Sequence, residues 1–111
     1  MVRSILTMAD RGETGVFVPT IVVVEMVYLS ERLKINPDVL KRTFELLEDP
    51  QGSYRPVPLD LAVPRSAQRV PRSEVPDLPD RVIAATALIL GLPVLTVDGK
   101  LRAFRKIETI W

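Results

Sequence analysis

Asp80-Arg81-Val82-Ile83-Ala84-Ala85-Thr86-Ala87-Leu88, followed by Val94-Leu95-Thr96-Val97-Asp98, sets one carboxylate at the start of an apolar helix and another at the end of an apolar strand. The residues between them suffice for one helix and one turn, so both acids land at the same end of an α/β layer. In open α/β sheets, ligands bind outside the carboxyl ends of the strands. Two acids placed there point to a divalent-cation site rather than to surface solvation.

Outward from this stretch, helices and strands alternate. Residues 3–11 are expected to form a helix with Ile5, Leu6 and Ala9 on one side, punctuated by Gly12 and Gly15. Val16-Phe17-Val18 reads as a buried strand before Pro19. From Thr20 to Leu33 the apolar pattern runs longer than a strand, which predicts a largely buried helix with Thr20 as its N-cap. Asn36-Pro37-Asp38 starts a further helix carrying Val39, Leu40, Phe44, Leu46 and Leu47, and Asp49-Pro50-Gln51-Gly52 ends it. Pro56 and Pro58 make Tyr54 to Leu59 an edge or irregular strand. Asp60 is expected to cap a helix from Leu61 to about Val70, followed by a loop to Pro76. Asp77 and Pro79 open the helix to Leu90, Gly91 closes it, and Val94 to Val97 follows as a buried strand. A short helical turn over Leu101 to Phe104 and a last strand over Ile107 to Trp111 complete an α/β layered fold, expected as one domain over residues 1–111.

The composition removes whole chemistries. Cys and His are both absent, which excludes disulfides, thiolate nucleophiles, zinc-thiolate sites and a Ser-His-Asp triad. Carboxylates, hydroxyls, Lys, Arg or a hard metal must carry any catalysis, and Asp and Glu oxygens suit Mg²⁺ and Mn²⁺. The formal net charge of +1 gives no global pull toward nucleic acid, so any basic surface is local. No apolar run is long enough to span a bilayer and none reads as a signal peptide, so a cytoplasmic location away from membranes is expected.

Each candidate acid also has a structural reading. Glu25 interrupts Ile21-Val22-Val23-Val24 and Met26-Val27-Tyr28-Leu29; it is either a ligand or a member of the helix's one exposed stripe. Asp77 reads as a helix cap, and Asp80 as a ligand or a first-turn acid that complements the helix dipole. Asp98 precedes Gly99, a common turn signal. Thr96, two residues earlier, points to the same side of the strand and could orient a ligating carboxylate or a metal-bound water. Gathered carboxylates repel, so a cluster of the three acids requires shared protons or a cation. Arg65, Arg69, Arg72 and Arg81 are candidate phosphate contacts, read alternatively as a solvated helix face. Tyr28, Tyr54 and Trp111 are read as packing residues rather than base-stacking platforms.

Thr20-Ile21-Val22-Val23-Val24-Glu25-Met26, the Asp80–Leu88 stretch, Val94–Asp98 and the closing Ile107-Glu108-Thr109-Ile110-Trp111 together resemble a PIN domain, most closely the VapC-type toxins of toxin–antitoxin pairs. The resemblance runs in order across almost the whole chain. It implies a three-layer sandwich with a mostly parallel central sheet. It also implies a metal-dependent endoribonuclease in which Mg²⁺ or Mn²⁺ activates water to cut single-stranded RNA. Glu25, Asp80 and Asp98 match three of the family's four acids and so become the expected metal ligands and catalytic residues; Thr96 matches the small hydroxyl residue before the last acid. The resemblance further implies a homodimer and a cognate antitoxin, bound through the early helices.

The departure lies at the N-terminus. The family begins with an apolar strand ending in Asp, whereas Met1 falls directly into the following helix. Asp10 sits late in that helix beside Arg11 and Gly12 and does not stand in for the first acid. The sheet is therefore expected to be N-terminally incomplete, with unpaired neighbours of the absent strand. Three readings stay open: the chain starts at an internal Met of a longer protein, a partner chain supplies the strand by exchange, or this is a degenerate copy that does not cut. The last makes the alternative function a catalytically inactive dimerisation and partner-binding module.

Overall fold

Short-range signals fix several helix ends. Asn36 turns its side chain onto the Asp38 N–H and Pro37 fills the first helical position, so a helix starts there. Asp77 does the same for the helix at Leu78, accepting the Asp80 N–H at 3.2 Å. Gly91 closes that helix with φ +64°, a left-handed conformation that a side chain disfavours. The computed structural model describes residues 1–111, in the order α1 (Val2–Asp10), β1 (Val16–Pro19), α2 (Thr20–Glu31), α3 (Pro37–Glu48), β2 (Tyr54–Val57), α4 (Ala62–Ala67), α5 (Leu78–Leu90), β3 (Val94–Leu95), α6 (Gly99–Ala103) and β4 (Thr109–Ile110). The chain divides into two compact units, residues 3–58 and residues 59–111 with 1–2. No helix is long and apolar enough to cross a membrane.

In the unit of residues 3–58, β1 and β2 pair in parallel, Val16 opposite Tyr54 and Pro19 opposite Val57. Helix α2 packs on β1 and α3, and α3 packs on β2. Pro19, not Thr20, is the N-cap residue of α2, and no side chain caps it. The helix is apolar on every side, yet Val23 and Ser30 are its buried residues, so it is less covered than its sequence predicts. Phe17 is likewise exposed in the strand expected to be buried. Strand β1 and helix α3 cover part of the helix and leave Val24, Tyr28 and Leu29 exposed. The Tyr54 hydroxyl, at the start of β2, donates to Asp10 at the end of α1.

The unit of residues 59–111 holds the better-formed core. Val63, Val70, Val75, Val82, Ala84, Ala85, Leu101 and Phe104 are buried in it, each large side chain contributing about 1.5–3 kcal/mol of transfer free energy. Helix α4 packs on α5, which also packs on β3. The run of Ala84, Ala85 and Ala87 on α5 presents small side chains and permits close approach. Helix α4 is shorter than expected: it ends at Ala67, and its start is held by Asp60, which accepts the Ala62 N–H. Strand β3 stops at Leu95, and Val97 is exposed rather than buried.

The four strands are all parallel within a mixed α/β fold, but they make two ladders, β1 with β2 and β3 with β4, not one continuous sheet. Every strand has a partner on one side, so none is left wholly unpaired.

Candidate active site

The expected site residues occupy three different local settings. Glu25 lies mid-way along α2 in the unit of residues 3–58, and its side chain is exposed. It therefore sits on a solvent-facing stripe of an otherwise apolar helix. Asp80 is the third residue of α5 in the other unit, half-buried, with its backbone N–H given to Asp77 Oδ2. Asp77 supplies the cap of α5, as expected from the sequence.

Asp98 is bound to the backbone that follows it. It is the N-cap of α6, and its Oδ2 accepts the Leu101 N–H at 2.9 Å. One carboxylate oxygen is thus committed to a cap, as a simple turn reading of Asp98-Gly99 predicts. Thr96 Oγ1 accepts the Asp98 N–H at 3.0 Å, and the Thr96 N–H continues the β3–β4 ladder to the Ile110 carbonyl. The hydroxyl therefore fixes the backbone from which the Asp98 side chain departs. Its contact is with the Asp98 amide rather than with the carboxylate.

The donor set, hard carboxylate oxygens without His or Cys, is chemically suited to Mg²⁺ or Mn²⁺. The geometry does not complete such a site: no three carboxylates are gathered so as to hold a metal ion.

The arginines depart most from expectation. Because α4 ends at Ala67, Arg69 and Arg72 lie beyond it and no helical stripe with Arg65 exists. Arg81 is half-buried, and its guanidinium forks onto two carbonyls, Nε to Val70 at 3.1 Å and Nη2 to Ala67 at 3.0 Å. It closes the C-terminal end of α4, where carbonyls lack helical partners. Buried Ser66 donates to the Ala85 carbonyl at 2.9 Å and accepts from Arg69 Nη2 at 3.1 Å, tying the same turn to α5. Sequence reading misses Ser66 altogether; a small hydroxyl in a short helix carries no signal until its partner is known. Of the aromatics, Tyr28 and Trp111 are mostly exposed and not packed as expected.

Among known families, the PIN domain matches this chain over residues 2–107. No curated protein and no solved structure matches it.

Proposed function

The chain belongs to the PIN domain family, whose fold is of the nuclease type, and from that membership we propose that it acts on RNA as an endoribonuclease with Glu25, Asp80 and Asp98 as its acidic residues. The reading extends to a VapC-type toxin of the cytoplasm, held by a cognate antitoxin and acting as a homodimer. The observation that carries it is the family match over nearly the whole chain, within which Asp80 lies in the first turn of α5 and Asp98 caps α6 after β3.

PIN domains generally use divalent metals, and we propose the same dependence here. Since no three carboxylates are gathered as a metal group, no step of the cleavage is derived through the ion. What the chain's own residues do is narrower. Asp77 holds the first turn of α5, which carries Asp80. Thr96 holds the Asp98 amide, and Asp98 keeps one oxygen outside its cap bond to Leu101.

The test is cleavage of single-stranded RNA with Mn²⁺ supplied, comparing wild type with Asp98→Asn. Asparagine retains an oxygen that can cap Leu101, so the fold is kept while the negative charge is lost. Manganese-dependent cleavage by wild type and none by Asp98→Asn is expected. Equal cleavage by both removes Asp98 from the mechanism.

A second reading is a non-catalytic module that dimerises and binds a partner. It draws on the exposed apolar side chains Val24, Tyr28 and Leu29 of α2 and Val39 and Phe44 of α3. Absence of cleavage together with a dimer in sedimentation would favour it.

A further inference from the structure

Three cationic side chains are held at one short stretch of chain, residues 66–70: Arg81 and Lys106 by its backbone carbonyls, and Arg69, which belongs to it, by the Ser66 hydroxyl. Arg69 Nη2 donates to Ser66 Oγ at 3.1 Å, Arg81 donates to the Ala67 and Val70 carbonyls at 3.0 and 3.1 Å, and Lys106 Nζ donates to the Arg69 carbonyl at 3.4 Å. All of these acceptors are neutral. Such bonds hold a cation in place without cancelling its charge, unlike an ion pair such as Arg42–Glu45 on α3. Each cation also keeps N–H donors beyond those used in these bonds, since Arg has about five and Lys about three.

The cluster is anchored rather than floating. Ser66, which orients Arg69, is buried and bonded to α5. Arg81 projects from α5 itself. Arg69 and Lys106 are exposed, so a ligand reaches them from solvent. Lysines loose on a surface lose side-chain entropy when they bind; these cations are already partly ordered.

We propose that Arg69, Arg81 and Lys106 form a phosphate-binding patch for the backbone of single-stranded RNA. The occupant rests on the nuclease reading above; the patch itself rests on the hydrogen bonds. Arg69 and Lys106 make direct contacts with phosphate oxygens, and Arg81 holds the platform and adds to the field. Each contact displaces a counterion, so binding weakens with salt at a slope of about 0.7 per phosphate neutralised on a single strand.

The experiment is fluorescence anisotropy of a labelled single-stranded RNA oligonucleotide with the full chain, in EDTA, across a salt series. EDTA keeps binding separate from cleavage. The double variant Arg69→Gln with Lys106→Gln is expected to weaken binding at least several-fold and to lower the salt slope by about 1.4. Arg69→Lys with Lys106→Arg keeps both charges and is expected to retain most of the affinity and the slope. Unchanged affinity and slope in the glutamine variant overturn the patch even if RNA is cleaved with Mn²⁺. Equal loss in the charge-retaining variant also overturns it, as does wild-type binding to anionic lipid vesicles without binding to RNA. Retained RNA binding with no manganese-dependent cleavage leaves the patch standing and removes the nuclease.

Discussion

The Tyr54 hydroxyl donates to Asp10 Oδ1 at 2.9 Å, joining the end of α1 to the start of β2 across 44 residues of chain. Partial burial raises the Tyr54 pKa above its ordinary value of 10.0, and the hydrogen bond and negative charge of Asp10 raise it further. A phenol whose pKa is raised by folding contributes stability that is complete below its unfolded pKa, near 10. That contribution is lost as the pH climbs through the higher folded value. Urea unfolding of the wild type is therefore expected to weaken more steeply above pH 10 than that of Tyr54→Phe, which has no proton to lose. Parallel pH profiles for the two proteins would show that the bond contributes nothing to folding.

Asp77 and Asp80 have separable tasks. Asp77→Ala removes the N-cap of α5 and is expected to cost about 1 kcal/mol, while Asp77→Asn keeps an accepting oxygen and costs less. Asp80→Asn leaves the cap intact. Its effect on RNA cleavage is expected to exceed its effect on the unfolding midpoint. A cleavage loss in Asp77→Asn as large as that in Asp80→Asn would contradict this assignment.

Ser66 is a buried link between α4 and α5, donating to one partner and accepting from another. Ser66→Ala is expected to destabilise the protein by about 1 kcal/mol, the net value of an intramolecular hydrogen bond. An unchanged denaturant midpoint would show that the Ala85 carbonyl finds water instead.

Two left-handed positions offer opposite tests. Leu33 has φ +55° and is exposed beyond the end of α2, where its N–H and that of Lys34 bond back to Ser30 and Leu29. Glycine fits that conformation better, so Leu33→Gly is expected to gain up to about 1 kcal/mol. Gly91 has φ +64°, and a methyl added there meets nothing within 4 Å. Gly91→Ala is then expected to lose about 1–2 kcal/mol through backbone strain alone. Thermal unfolding of the two variants should shift in opposite directions.

The sequence by itself determined the elements and the exclusions. Asn36, Asp77 and Gly91 mark helix ends through contacts spanning at most a few residues, and such signals are legible without a fold. The absence of Cys and His limited the chemistry to carboxylates, hydroxyls, Lys, Arg or a hard metal. Glu25 stood out because it interrupts an apolar run, and Asp80 and Asp98 because they stand at the start of an apolar helix and at the end of an apolar strand. Tertiary structure alone decided where Arg81 spends its fork, which hydroxyl holds Arg69, and that the strands pair two by two. It also decided that much of α2 stays in water despite an apolar sequence. The reason is range: caps and turns depend on neighbours along the chain, whereas burial and long hydrogen bonds depend on which distant surface arrives to cover a side chain.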